Sequence, residues 1–414
     1  MMSNSVKPEW ALIAYLWGCY VLNHADRQVV YTLFPALQQD FGLSDTMLGM
    51  TGALFLWVYG FCSPVAGVLG DRLSRTKVVT ASLIIWSTLT LLTGFAPNGP
   101  SLLVLRGLLG VAESLFMPAA FALMANAHGP ASRSKAISLF ATSQMVGVAV
   151  GGSLSGWLAE KYHWRIAFWT LGTVGVLFAL PLRRFFGRMP SAFNKQGNES
   201  RADLRSFLSL LRIDSLRVVT LFVAIATFGL FLVYTWLPTF LHDKFGLGLA
   251  RAGFEASVYP QIGTAFGLLL GGMLADRIYA RTHAARFWII FGALCTAAPC
   301  ILLLGSAGTL EEARIAATAF GFFSGFISGN QAAAAFDVVP PAYRASAVGV
   351  LNLLGASISG FAPFLGGLAR KTVGVDSVMR YTGGLYLITG ALVLAGTLRY
   401  FARDHEASQL AQER

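Results

Sequence analysis

Charge is what this sequence has least of. Aspartate, glutamate, lysine and arginine make up 12% of its 414 residues against 55% hydrophobic residues, and the mean hydropathy is +0.61. Soluble domains carry about 25% charged residues, so a water-facing globular surface is excluded for most of the chain. Cysteine is also scarce. Cys19, Cys62, Cys295 and Cys300 lie in apolar segments without zinc-type or redox spacing, and read as small packing residues. No nucleophile–base arrangement, metal-ligand cluster or phosphate-binding loop occurs at a recognisable spacing, which speaks against an enzyme. The net charge of +11 comes without a basic module of interleaved aromatics, which speaks against nucleic acid as a partner. The polar N-terminal residues lack a cleavable signal pattern, so the first apolar segment is expected to be retained as a span.

What is present is a succession of long apolar segments. They fall near 10–34, 46–69, 78–96, 102–125, 134–158 and 165–183, and again near 216–241, 252–275, 287–306, 313–336, 345–369 and 381–399. At about 20 residues each, they are long enough to cross a bilayer as helices. The expected fold is an all-α membrane protein of twelve transmembrane helices in two six-helix bundles. The N-terminal bundle covers 1–184, a cytoplasmic linker 185–215, the C-terminal bundle 216–402 and a cytoplasmic tail 403–414. Lysines and arginines concentrate in alternate connections, among them Arg72, Arg75, Lys77, Arg133, Lys135, Arg277, Arg281 and Arg286. The positive-inside rule makes those connections cytoplasmic and puts both termini inside. A bacterial inner membrane is the expected location. Within the linker, 201–212 reads either as a basic amphipathic helix on the inner leaflet or as a flexible connection.

Four charges break the apolar pattern. Arg106 and Glu113 share one segment, seven residues apart, which places both on one helix face about 10 Å apart along the axis. Asp26 and Arg27 sit inside the first segment. Ionised side chains are costly at such depth and commonly line a substrate or ion path, so these four read as the working centre of a transporter. Arg27 and Arg106 suit bidentate carboxylate binding. Glu113 and Asp26 suit proton uptake, since burial favours the protonated carboxyl while arginine favours the ionised one; a protonated Glu113 is expected to release Arg106 for substrate, and its deprotonation to restore that pair. The later spans hold no comparable charge and offer Tyr234, Tyr259, Gln261, Asn330, Gln331 and Asn352 instead. The first half is thus expected to handle charge and coupling, the second to supply hydrogen bonds. His24 and His128 read as structural.

The two halves echo each other. Gly67-Val-Leu-Gly-Asp71-Arg72 follows the second span and Gly272-Met-Leu-Ala-Asp276-Arg277 the eighth, and Pro130-Ala-Ser-Arg133 is repeated as Pro341-Ala-Tyr-Arg344. Parallel repeats of this kind indicate pseudo-symmetric bundles with a substrate site between them. The stretch Gly67 to Lys77, with Arg75, resembles the loop signature of the major facilitator superfamily, and Gly272 to Arg277 its second-half copy. The resemblance implies that fold and a gating role for Gly67, Asp71, Arg72, Arg75, Asp276 and Arg277. Asp26-Arg27, Arg106 with Glu113, Pro118 and Trp236-Leu-Pro-Thr-Phe-Leu241 resemble the anion:cation symporters, which move sugar acids and other carboxylates with protons. That likeness implies substrate contacts at Tyr59, Gln144 and Asn352. Asn23-His-Ala-Asp-Arg-Gln28 and Leu43-Ser-Asp-Thr46 also resemble the spinster family of lipid-related transporters.

Three readings follow: a proton-coupled symporter of a small organic anion, a spinster-like transporter of lysolipids or other amphipaths, and a non-transporting membrane sensor. No cofactor is expected beyond protons as the coupling ion. The expected partners are an anionic small molecule and membrane lipids, and the expected state is a monomer.

Overall fold

The structure is a computed structural model that describes residues 7–190, 210, 212–340 and 343–410. All regular structure among them is helical. The first half contains α1 (Pro8–Thr32), α2 (Phe34–Phe41), α3 (Asp45–Arg72), α4 (Arg75–Thr93), α5 (Gly99–Ser114), α6 (Phe116–Ala127), α7 (Pro130–Lys161) and α8 (Trp164–Arg188). The second contains α9 (Asp214–Phe245), α10 (Leu249–Tyr279), α11 (Ala285–Ser306), α12 (Leu310–Phe336), α13 (Arg344–Ser359), α14 (Phe361–Val373), α15 (Val375–Gly396) and α16 (Ala402–Leu410). Among the described residues, ten helical stretches are long and apolar enough to cross a membrane by length and composition.

Two of the expected spans are broken, and proline explains both. The fourth divides at Leu115, between α5 and α6. Pro118 has no N–H to offer the Ser114 carbonyl four residues earlier, so the ladder fails there, and the Ser114 hydroxyl donates instead to the Val111 carbonyl at 2.8 Å. The eleventh divides at Gly360, where Pro363 stands four residues after Ser359. Ser359 likewise bonds three residues back, to the Ala356 carbonyl at 3.2 Å.

The chain forms two compact units. Unit one comprises Met1–Ser44, Leu54–Glu199 and Leu247–Phe254; unit two comprises Asp45–Ala53, Ser200–Gly246 and Glu255–Arg414. Inside unit one, α7 lies along α1 and α4 along α8; inside unit two, α11 packs on α12 and α15, and α9 on α13 and α15. The expected tail is largely a helix bound to unit two. After a π-helical turn, Thr397–Phe401, the α16 residue Asp404 accepts from the Ser215 amide at 2.8 Å. Arg403 reaches Asp214 at 2.8 Å, and the His405 Nδ1 donates to the Asp337 carbonyl at 2.7 Å. The amphipathic segment expected at 201–212 lies mostly outside the described residues.

Candidate functional site

The site is built in unit one, and α1 sets its level. A Cβ on Gly147 of α7 would fall 2.7 Å from the His24 Cβ, and one on Gly151 would fall 2.6 Å from the Ala25 Cα, so glycine is what lets the two helices lie this close. Asp26 and Arg27 follow directly and, about 100° apart around the helix, enter different surroundings. Arg27 turns toward α5, where its Nε donates to Glu113 Oε2 at 2.7 Å; the side chains are 13% and 0% exposed. The Asp26 carboxyl is 1% exposed, on the residue whose backbone carbonyl accepts from Arg106, and its Oδ1 forms no hydrogen bond.

α5 delivers the other two charges. It starts on a capping box, Asn98 accepting from the Ser101 amide at 3.0 Å, with Pro100 in the first turn. Arg106 is 1% exposed and donates from Nη1 to the Asp26 carbonyl at 3.3 Å, while its Nε and Nη2 form no hydrogen bond. α3 closes over both cations. A Cβ on Gly110 would meet the Phe55 carbonyl at 2.7 Å, and its absence lets α3 press against α5. The Phe55 ring then sits between the guanidinium groups, 5.0 Å from the Arg27 Cζ and 5.1 Å from the Arg106 Cζ, and the Tyr59 ring lies 4.7 Å from the Arg27 Cζ.

One expected pairing is corrected here. Glu113 answers Arg27, not Arg106. Along one helix Arg106 and Glu113 are about 10 Å apart, whereas α1 brings the Arg27 guanidinium alongside the carboxylate. Asp26, Arg27, Tyr59, Arg106 and Glu113 therefore form one cluster. Gln144, half-buried on α7, makes no hydrogen bond among the described residues, and Asn352 is exposed on α13 in unit two. The side chains of Gly67, Asp71 and Arg72 lie outside the described residues. Arg75 is buried at the start of α4, whereas Asp276 is 78% exposed, 3.7 Å from an Arg286 that also binds Asp337 at 2.5 Å. Arg277 is exposed.

Phe55 is the residue that sequence reasoning missed. Phe55 had a signal: it precedes Tyr59 by four residues and so shares its helix face. Chemically, the cluster offers a buried guanidinium with unused donors, which fits a carboxylate.

Residues 16–363 match the family model of the Major Facilitator Superfamily. A hexuronate transporter of Bacillus subtilis (strain 168) is 26% identical over 408 residues, spanning 96% of this chain and 93% of its own. An MFS-type efflux pump of Mycolicibacterium smegmatis is 27% identical over 414 residues, spanning 95% and 92%. Among solved structures, a bacterial homologue of the human lysosomal transporter Spinster, inward-facing and occupied, aligns with a TM-score of 0.83 at 21% identity, covering 97% of this chain and 99% of that one.

Proposed function

This chain belongs to the major facilitator superfamily, and on that premise we propose that the transporter is a proton-coupled symporter of a small organic anion such as a sugar acid or another monocarboxylate. One observation carries the reading: unit one gathers two arginines and two carboxyls, all fully buried except the half-buried Arg27, and Arg106 keeps Nε and Nη2 free of hydrogen bonds. Desolvated ionisable groups of this kind are retained in membrane helices for a task. The relative that moves hexuronate supports a carboxylate as cargo.

In this reading Arg106 takes the substrate carboxylate, with Arg27 and Tyr59 beside it and Gln144 and Asn352 contacting the rest of the molecule. Glu113 takes the proton. Once neutral it releases Arg27 toward the substrate, and its deprotonation after delivery restores the Arg27–Glu113 pair. Asp26 is the second carboxyl of the cycle. The protein works as a monomer in a bacterial inner membrane with both termini cytoplasmic.

The test is uptake into proteoliposomes. Glu113→Gln keeps shape and hydrogen bonding but cannot cycle a proton, so it should retain counterflow and lose accumulation driven by an imposed pH gradient. Accumulation equal to the parent's would reduce Glu113 to a structural partner.

An amphipath as cargo has one observation in its favour. In unit two an apolar groove of about 740 Å³ runs along α10 and α12, lined by Ile262, Phe266, Leu270, Phe322 and Phe323, with Arg314 at one end. A thermal-shift comparison of glucuronate, simple monocarboxylates and a lysophospholipid separates the readings: stabilisation by the lysophospholipid alone would favour the amphipath.

A further inference from the structure

Unit two carries a second groove, which neither cargo reading uses. It has a volume of about 240 Å³ and runs between α9 and α15, walled by Leu221, Phe222, Leu392 and Ala395, with Arg399 and Tyr400 at one end. Gly396 draws the two helices together near that end: a Cβ there would fall 2.5 Å from the Val218 Cγ2. Leu221 and Leu392 stay 40% and 46% exposed, so the groove opens on the surface of the unit. Thr389 and Arg399 both line it and stand about 15 Å apart along a helix axis. That is the depth of one leaflet, half of a hydrocarbon core about 30 Å thick.

Charge sits where a headgroup would. Past the apolar walls, α15 gives way to the π-helical turn Thr397–Phe401, a form of helix frequent at functional sites. The turn carries Arg399 and Tyr400, with the Arg399 Cζ 5.4 Å from the Tyr400 ring. The neighbouring arginines are taken. Arg217 and Arg403 both bind Asp214 at 2.8 Å, and Arg403 also binds Asp404 at 2.8 Å. Arg399 is exposed and forms no ion pair or hydrogen bond among the described residues. With both termini cytoplasmic, as proposed above, this end lies at the inner leaflet, whose anionic lipids attract basic side chains.

We propose that the groove binds an anionic phospholipid of the inner leaflet: one acyl chain lies between α9 and α15, and the headgroup phosphate pairs with Arg399. The phosphate gives the unpaired guanidinium its counter-ion, and the chain covers apolar walls that the protein leaves open. The larger groove along α10 and α12 differs, because the Arg314 at its end is already bound by Glu255 and Glu311. This site is independent of the cargo, and it depends on the proposed orientation only for which leaflet supplies the lipid.

Native mass spectrometry of the purified full-length chain, titrated with phosphatidylglycerol, tests it. The first lipid should bind saturably, and Arg399→Gln should weaken it about fivefold, the worth of one arginine beside anionic lipid. Phosphatidylcholine with the same chains should bind more weakly and be indifferent to Arg399→Gln. Ala395→Phe puts a ring into the groove from an exposed position and should weaken both lipids. Arg188→Gln removes an exposed arginine from α8 of unit one and should change neither. A loss in Arg188→Gln as large as in Arg399→Gln would mean diffuse surface charge and overturn the proposal. So would full binding in Ala395→Phe, or equal binding of the two lipids to the parent. No transport is measured, so a failed symport assay leaves the lipid site standing.

Discussion

Which charge answers which decides the behaviour of single residues here. Glu113 has no exposed surface and a single cationic hydrogen-bond partner, Arg27. Arg27→Ala would leave a carboxylate buried without a counter-charge, at a cost of about 3–5 kcal/mol. A marked fall in the unfolding temperature of the solubilised protein is expected, and Arg27→Ala combined with Glu113→Gln should recover most of it. Strict additivity of the two changes would mean that they do not interact. Arg106 differs because its unused donors form a fork. Arg106→Lys should weaken binding of an anionic substrate at least about tenfold while the fold stays intact, since an ammonium cannot reproduce bidentate geometry. Unchanged affinity would move the carboxylate site elsewhere. The four charges were legible in the sequence because charge is so rare in it. Their pairing was not, because it depends on how closely α1, α3 and α5 pack.

That packing is a matter between elements, and it turns on positions without side chains. A Cβ at Gly110 would strike the α3 backbone, whereas one at Gly272 meets nothing within 4 Å. Gly110→Ala should push Phe55 and Tyr59 off the arginines, lowering both thermal stability and substrate affinity although no charged group is touched. Gly272→Ala should leave both unchanged. Equal effects at the two sites, measured by thermal unfolding and binding, would show that α3 does not need this approach. Hydropathy located the spans to within a few residues, since a membrane helix must be apolar over its length. It smoothed over the breaks at Leu115 and Gly360, because a window average does not register the missing N–H of Pro118 or Pro363.

For the molecule as a whole, acid stability has a named contributor outside the membrane core. Asp40 accepts from the Trp164 Nε1 at 3.0 Å and from the Arg165 Nη1 at 2.8 Å, and these bonds, the indole's foremost, hold its carboxyl below the ordinary aspartate range. A depressed carboxyl contributes stability in full above its unfolded value of about 3.9 and loses it as pH falls through the lower folded value. Asp40→Asn should therefore flatten the acid limb of a melting-temperature profile below about pH 4, with little change at neutral pH. A parallel profile would show that the bonds are not felt. The membrane class and helical spans could be read from composition alone. The attachment of the expected tail could not, because Asp404, His405 and the groups they bind are ordinary polar residues until the fold brings them together.

That attachment also has a history within the making of each molecule. Ser215 opens α9, yet the carboxylate that satisfies its amide belongs to Asp404, which leaves the ribosome 189 residues later. At about 5–20 residues per second, the helix enters the bilayer and waits on the order of 10–40 s for the group that finishes its first turn. Until then the start of α9 is served by water or lipid headgroups, and the helices between are assembled beside a helix whose end is closed only once Asp404 has been made.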